Sequence, residues 1–300
     1  MSARYFLIVV ISAVCVCSNA QTAVVYSSEY EGVRRYLEEV DYSGDPDYNL
    51  SYAWDYKKAY PTADITNGEV SVAGSVRIID GVASNMRDLG GWEAEGGHVA
   101  YGKLFRGAKL DRISSAGKGI FLDELGISVD LDLRGSVPGE RKAGPVIEGV
   151  EYARLSVERY LGRGSGKTEE LYQLAIRYII GWLSQGKAVY IHCTAGADRT
   201  GTLAFLIEAL LGVSESDLSK DYELTTLLGR HTRLRNSRAG LFQSCVLYEM
   251  VSYLRNYGYP QVQSINQLVL NWATTRHSED VDPLTMEEIS QLRGYLVKSD

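Results

Sequence analysis

Cysteine is scarce in this chain, and its few cysteines do not follow the pattern of a disulfide-stabilised protein. The 300 residues include 4 cysteines. Two of them, Cys15 and Cys17, lie in an apolar N-terminal segment, which leaves Cys193 and Cys245 for the rest of the chain. Exported proteins normally use cysteines in disulfide frameworks. Two thiols so far apart in sequence do not resemble such a framework. Disulfide bonding therefore does not explain why these cysteines are present, and another role for a thiol is considered below.

The chain also lacks an excess of positive charge. Lys and Arg number 31 against 38 Asp and Glu, which gives a net charge of −7. Because neutralising nucleic-acid phosphates requires a basic surface, no nucleic-acid partner is expected. The hydrophobic share of 45% and the charged share of 23% are typical of a globular protein and exclude long disordered, collagen-like and coiled-coil structures.

No apolar run in the sequence is long enough to span a bilayer. The most apolar run, residues 6–17, has 12 residues, whereas a spanning helix needs about 20. No integral membrane segment is therefore expected in the mature chain.

The first 20 residues predict a signal peptide. Arg4 supplies a positive start, the apolar run follows, and Ser18 and Ala20 place small residues at the cleavage site, so that the mature chain would begin at Gln21. We therefore expect an exported protein, periplasmic or secreted. The alternative is a buried N-terminal strand. A lipid-anchored form is not favoured, because valine stands where a small residue would precede each N-terminal cysteine.

Residues 21–75 are polar and rich in tyrosine, unlike the rest of the chain. They are predicted to form a small N-terminal appendage without chemistry of its own. Within it, a short helix is predicted at 33–40, and weak alternation indicates a strand at 48–54. The remaining residues, 76–300, are predicted to form the main domain.

From residue 76 onwards, predicted strands alternate with predicted helices. The predicted strands are 76–80, 99–105, 127–133, 150–155 and 188–191. Apolar residues at helical spacing predict helices over 171–182 and 203–211. This alternation favours an α/β fold with a mostly parallel central sheet flanked by helices, followed by a helical C-terminal section.

The segment 191–201 carries the chemistry, with the sequence IHCTAGADRTG. A turn between a strand and a helix can aim several backbone N–H groups at one point, which makes an anion site, and Gly196 permits the tight path. Arg199 can present a planar fork to two phosphate oxygens. The same N–H groups favour the thiolate of Cys193, which could attack a bound phosphorus atom. Asp198 could reach a leaving-group oxygen.

The pattern His-Cys-x5-Arg-Thr-Gly at 192–201 resembles the protein tyrosine phosphatase signature, and its Asp before Arg resembles the bacterial tyrosine/serine phosphatase branch. Upstream blocks that resemble the same branch lie at 85–91, 102–106 and 130–134, and Glu140 follows the last of them. The resemblance covers about residues 76–298. It implies a tyrosine phosphatase-like α/β fold and catalysis through a phosphocysteine intermediate.

The resemblance also implies roles for individual residues. Cys193 would be the nucleophile and Arg199 the phosphate clamp. Thr200 would offer its hydroxyl to the sulfur, and His192 would orient the loop rather than act as a base. The other predicted substrate-binding positions are Thr194, Ala195, Gly196 and Ala197. Where the branch usually has Lys before the loop Asp, this chain has Ala197, which bears on substrate affinity.

Three carboxylates are candidates for the general acid. Many tyrosine phosphatases carry this Asp on a separate upstream loop, but the corresponding stretch here, 155–164, contains Glu158 and no Asp. The resembled branch uses the loop Asp, which points to Asp198. Asp132, at the end of a predicted strand, is the third candidate and is also explained as a supporting carboxylate bonded to Arg134.

A cluster of arginines is a second unusual feature in this acidic protein. It consists of Arg230, Arg233, Arg235 and Arg238. The cluster is interpreted as a solvated helix face, in preference to a rim that attracts a multiply charged phosphate. Arg87 and Arg106 are expected to brace the loop or the sheet.

The sequence therefore predicts a phosphatase that needs neither metal nor cofactor, with phosphorylated proteins or peptides, or small phosphate esters, as substrates. Phosphotyrosine is the leading substrate, and inositol phosphates or phosphoinositides are the second candidate. A catalytically weak phosphate-binding module and a rhodanese-like sulfurtransferase are alternatives from other classes. The upstream blocks and Thr200-Gly201 argue against the sulfurtransferase.

Overall fold

The computed structural model describes most of the chain after the predicted signal peptide, which itself lies outside the described residues. The described residues are 24–26, 31–45, 47–59, 76–135, 140, 144–162, 167–229, 232–235, 245–258 and 264–299. Its strands are β1 Val24–Tyr26, β2 Arg77–Ile79, β3 Arg87–Asp88, β4 Glu93–Ala94, β5 Gly97–Val99, β6 Leu104–Gly107, β7 Ile127–Asp132, β8 Glu151–Arg154, β9 Ala188–His192, β10 Arg233–Leu234, β11 Cys245–Val246 and β12 Val297–Lys298. Its α-helices are α1 Glu31–Glu39, α2 Ala53–Ala59, α3 Ser115–Gly119, α4 Lys167–Ser184, α5 Asp198–Leu211, α6 Glu215–Leu228, α7 Leu247–Leu254, α8 Ile265–Ala273 and α9 Met286–Leu296.

A seven-stranded sheet in the order β1-β2-β3-β6-β9-β7-β8 forms the centre of the fold. The four strands β6, β9, β7 and β8 are parallel, whereas the short strands β1, β2 and β3 extend the sheet by antiparallel pairing. All five residues of β9 are buried, as expected for a central strand covered on both faces. In the parallel register, Gly107, Asp132 and His192 lie side by side at the carboxyl ends of three strands. Ligands of open α/β sheets bind at this edge.

Helix α5 is the most buried helix next to this edge. Every one of its residues except Asp198 is buried, which agrees with its nearly continuous apolar sequence. It ends at Gly212, whose φ of 85° is the left-handed conformation typical of a helix C-cap. It contacts α4, α6, α8 and α9 as well as β6 and β9. The loop before α5 is therefore held between a buried strand and a buried helix.

The fold confirms the predicted α/β class, the central sheet and the helical C-terminal section, and it corrects two predicted strands. The strand predicted at 99–105 is two strands, β5 and β6, because the chain turns between them with Gly102 at a φ of 73°. The strand predicted at 48–54 is wrong. Tyr48 has a φ of 56°, and α2 begins at Ala53. Weak alternation over so short a stretch does not separate a strand from a loop followed by a helix.

The N-terminal residues pack on α6. Helices α1 and α2 both contact α6. The Tyr42 hydroxyl donates to Glu223 at 2.5 Å, and the Ser51 hydroxyl donates to the other oxygen of the same carboxylate at 3.0 Å. The apolar side chains of the N-terminal residues, including Val33 and Tyr36, belong to the same hydrophobic core as the strands of the main sheet and the helices that cover it. The division between 21–75 and 76–300 remains a prediction.

Within the part of the chain that the structure describes, no helix has the length and apolar character that a membrane span would require.

Candidate active site

The loop between β9 and α5 is shaped by one glycine and by two side chains that hold its carbonyl groups. Gly196 has a φ of 66°, and a Cβ atom there would lie 2.2 Å from the backbone carbon of Gly107. The Asn85 amide nitrogen donates to the carbonyl oxygens of Ala195 and Gly196, at 3.3 and 3.0 Å. The Arg106 guanidinium also donates to the Gly196 oxygen, at 3.2 Å. These contacts engage the carbonyl groups and leave the N–H groups for the other side of the loop.

The sulfur of Cys193 lies among those N–H groups. Burial raises the pKa of the thiol, but hydrogen bonds from the Thr200 hydroxyl and from the backbone N–H groups of Thr200, Ala195 and Ala197 outweigh this effect, and the pKa is lowered. The Thr200 hydroxyl is buried, and among the side chains it contributes most to lowering the pKa of the thiol. The loop therefore stabilises a thiolate, which is the nucleophilic form.

Arg199 lies beside the sulfur and is oriented by Glu140. Its Nη1 donates to the two carboxylate oxygens at 2.9 and 3.2 Å. The same carboxylate accepts hydrogen bonds from the Thr194 hydroxyl and, at 2.9 Å, from the Gly135 N–H. Nε of Arg199 is buried and has no partner among the described residues. Because a buried donor without a partner is costly, this side of the guanidinium suits an oxyanion.

His192 contacts both the central sheet and the loop. Its Nε2 lies 2.9 Å from a carboxylate oxygen of Asp130, and its Nδ1 lies 3.0 Å from the Cys193 carbonyl oxygen. Burial lowers the pKa of His192, but Asp130, Asp132 and that carbonyl raise it to about 9. These two contacts tie the imidazole to the sheet and to the loop backbone, so this side chain orients the loop.

Asp198 is the first residue of α5 and the one partly exposed residue of that helix. Its Oδ1 accepts a hydrogen bond from the Tyr160 hydroxyl at 2.5 Å and an ion-paired hydrogen bond from Arg233. The preceding residue, Ala197, is buried and uncharged. The positive charge that contacts the Asp198 side chain is therefore that of Arg233 on β10.

The comparisons with known proteins agree with this geometry. The model of the tyrosine phosphatase family matches residues 80–267, which is more than half of the chain and includes the whole loop. The chain belongs to the tyrosine phosphatase family. It is also 32% identical over 177 residues to a Cupriavidus necator protein named "Putative tyrosine-protein phosphatase". That match covers 51% of this chain and 64% of the relative's length. The family resemblance inferred from the sequence is thereby confirmed.

Within this family site, the other two acid candidates differ from Asp198 in their contacts and exposure. Both oxygens of Asp132 accept hydrogen bonds from Arg134, and Oδ2 also accepts one from Tyr152 at 2.8 Å. Burial raises the pKa of Asp132, but Arg134 and His192 outweigh it and the pKa is lowered. Glu158 is exposed. The contacts of Asp132 are those of a carboxylate that braces the sheet edge.

The arginine cluster is not a solvated helix face in the part that the structure describes. Arg233 and Arg235 are 3% and 0% exposed, and both form ion pairs. That interpretation is therefore wrong for these two residues, because their partners are carboxylates distant in sequence. Arg230 and Arg238 lie outside the described residues.

Sequence reasoning missed Asp221, the buried partner of Arg87 and Arg106. Asp221 on α6 accepts from Arg87 Nε at 2.8 Å and from Arg106, and the neighbouring guanidinium groups lower its pKa although burial raises it. The charged sequence of α6 gave no sign that this one carboxylate faces inward. Asn85 and Tyr160 were also missed, since both act through contacts distant in sequence.

Groups of three or more His, Cys, Asp or Glu side chains that could bind a metal ion do not occur among the residues that the structure describes.

Proposed function

We propose that this protein is a cysteine-dependent phosphatase that hydrolyses phosphate monoesters. The observation that carries the proposal is the loop, in which the pKa of Cys193 is lowered and Arg199, whose buried Nε has no partner among the described residues, interacts electrostatically with Cys193. Backbone N–H groups and the start of α5 favour an anion at the same point. Membership of the tyrosine phosphatase family supports the same reaction class.

The proposed reaction has two steps. The Cys193 sulfur attacks phosphorus, the S–P bond forms, the P–O bond to the leaving group breaks, and Asp198 gives its proton to the leaving oxygen. Water then attacks phosphorus, the S–P bond breaks, and Asp198 takes the proton from the water. Arg199 and the loop N–H groups stabilise the charge on the phosphoryl oxygens in both steps.

Phosphotyrosine in proteins or peptides is the proposed substrate, in line with the family and with the name of the Cupriavidus necator relative. The alternative, an inositol phosphate or phosphoinositide, would be favoured by arginines that line the rim. In the described part of the cluster, Arg233 is directed at Asp198 and Arg235 at the N-terminal residues. These contacts place both guanidinium groups on protein partners and favour the phosphotyrosine proposal.

Trapping of the intermediate tests the proposal. The protein is mixed with an aryl phosphate, quenched in acid and digested, and phosphocysteine is expected on the peptide that contains Cys193. Cys193→Ser should form none and should lose turnover, yet retain binding of inorganic phosphate. Cys245→Ser is the matched thiol control and should still form the intermediate. Turnover in Cys193→Ser would refute the mechanism.

A substrate panel separates the remaining alternatives. Phosphotyrosine, phosphoserine and phosphothreonine peptides are compared with phosphoinositides and inositol hexakisphosphate, and thiosulfate is assayed in parallel. We expect the highest kcat/KM for phosphotyrosine peptides. Preference for an inositol phosphate would favour the second candidate, thiosulfate turnover would favour a sulfurtransferase, and phosphate binding without turnover would indicate a binding module.

Export of the protein is a further proposal that rests on residues 1–20. The full-length gene product expressed in a bacterial host should be recovered from the periplasm or the medium, and its N-terminal sequence should begin at Gln21. Recovery with residues 1–20 intact would contradict it.

A further inference from the structure

A guanidinium group from outside the loop contacts the proposed general acid. Arg233 lies on β10, after α6, and its Nη2 donates to Oδ1 of Asp198. Its side chain is 3% exposed, against 24% for the side chain of Asp198. Because one partner is almost fully buried, solvent screens this ion pair less than it would a surface pair.

Two donors fix the same oxygen of Asp198. Tyr160, from the loop between β8 and α4, and Arg233 both donate to Oδ1. Among the described residues these contacts orient the carboxylate by one oxygen and leave Oδ2 for proton transfer. Tyr172 on α4 interacts electrostatically with Asp198, and also with Cys193 and Arg199.

The strand that carries Arg233 is held by the N-terminal residues. The guanidinium group of Arg235 lies over the rings of Tyr42 and Tyr48, at 4.4 and 4.1 Å from their centroids, and donates to the Asp45 carbonyl oxygen at 3.0 Å. The backbone N–H of Arg235 donates to the Ser51 hydroxyl at 2.7 Å. Cation–π and hydrogen-bond contacts of this kind, buried from water, immobilise the segment 233–235.

Thr226 fixes the backbone of Arg233 from the other side. Its hydroxyl accepts from the Arg233 N–H at 2.7 Å and donates to the Arg233 carbonyl oxygen at 3.0 Å. Thus α6 and the N-terminal residues together determine where the Arg233 guanidinium points.

We propose that Arg233 is a positioning residue for Asp198, and that the N-terminal residues 42–45 and 47–51 act on the reaction by holding the strand of Arg233 in place. The inference rests on the proposed function. It assigns a role in catalysis to a segment that the sequence predicts to be without chemistry. Arg233 directs Oδ2 of Asp198 at the leaving oxygen.

The dependence of rate on leaving group tests the role of Arg233. In Arg233→Gln, phosphate esters with poor leaving groups should lose about tenfold or more in kcat, which is part of the total effect of a general acid, whereas an activated aryl phosphate should lose far less. The basic limb of the pH–rate profile should flatten, because a general acid that is no longer directed at the leaving oxygen contributes less to the rate. Arg233→Lys should recover part of both effects.

Arg276→Gln is the matched control, because it also removes an arginine from an ion pair. This ion pair, with Asp282, is exposed. It should leave both the leaving-group dependence and the pH profile unchanged. If Arg233→Gln lowers only the melting temperature, with the same leaving-group dependence and pH profile as wild type, Arg233 is a structural residue and the inference is overturned.

Ser51→Ala tests the N-terminal part of the proposal. It removes the acceptor of the Arg235 N–H and should change the leaving-group dependence in the same direction as Arg233→Gln, by a smaller factor. An unchanged leaving-group dependence would overturn this part. The proposed function and this inference are refuted by different results. Turnover in Cys193→Ser would refute the proposed function. The inference is refuted if Cys193 is required for turnover and Arg233→Gln shows the leaving-group dependence of wild type.

Discussion

Replacing Thr200 by valine tests how the loop stabilises the Cys193 thiolate. Valine keeps the shape of the side chain and the backbone N–H, and it removes only the hydroxyl that donates to the sulfur. Burial raises the pKa of Cys193, so removal of one of the donors that outweigh burial must raise the pKa of the variant. The thiol form should therefore become more populated at neutral pH.

The size of the effect follows from the charge on the sulfur. A hydrogen bond to a charged group contributes about 1.5–3 kcal/mol, and since about 1.4 kcal/mol is a factor of ten, the thiolate-to-thiol ratio should fall about 10- to 100-fold at fixed pH. The backbone donors from Thr200, Ala195 and Ala197 remain in the variant and keep part of the stabilisation.

The assay is the ultraviolet absorbance of the thiolate as a function of pH, taken as the difference from Cys193→Ser. Thr202→Val is the control, because that hydroxyl lies on the same helix and is directed elsewhere, to the Arg159 carbonyl oxygen at 3.0 Å. The control should titrate as wild type does. A titration curve that is the same in Thr200→Val and wild type would refute the role of the hydroxyl. The role would also be refuted if the titration curves of Thr200→Val and Thr202→Val were displaced equally from that of wild type.

Three further predictions concern the residues around the loop. Glu140→Gln should lower kcat at least about tenfold and spare the fold, because Arg199 loses its charged partner and its fixed orientation; single-turnover kinetics measure this. The pKa of His192 is raised from 6.5 to about 9, which contributes about 3 kcal/mol to the free energy of unfolding. This contribution is complete below pH 6.5 and is lost as the pH rises through about 9. Urea unfolding of His192→Gln should therefore lack this pH dependence. Asp221→Asn should cost about 3–5 kcal/mol in the same unfolding assay, because it removes the charge of the carboxylate that both buried guanidinium groups contact; wild-type stability would contradict the pairing.

The nucleophile and its loop were predictable because their signal is local. A buried strand, a glycine turn and an apolar helix follow each other within residues 188–211, and each imposes its conformation on its own stretch of chain. The strand and helix at either end of the loop are as predicted. Elements with equally local signals, such as the helix predicted at 33–40 and observed at Glu31–Glu39, were also predicted correctly.

The contacts around Asp198 could not be predicted, because their partners are far apart in sequence. Arg233 and Asp198 are separated by 35 residues, and Arg87 and Asp221 by 134. The sequence does not distinguish a charged residue with so distant a partner from a charged residue that is solvated, because burial of an ion pair leaves no periodic pattern. The same reason explains why Arg233 was assigned to a solvated face.

The packing of the N-terminal residues on α6 and β10 has a consequence for the order of folding. Tyr42 meets Glu223 across 181 residues, and Arg235 meets Asp45 across 190. This segment therefore reaches its partners only when loops of that length have closed. Closing loops of this length is entropically costly and slow, so docking of this segment should be a late event in folding. Until then its tyrosines remain exposed, which makes them intrinsic fluorescent reporters of the final assembly step.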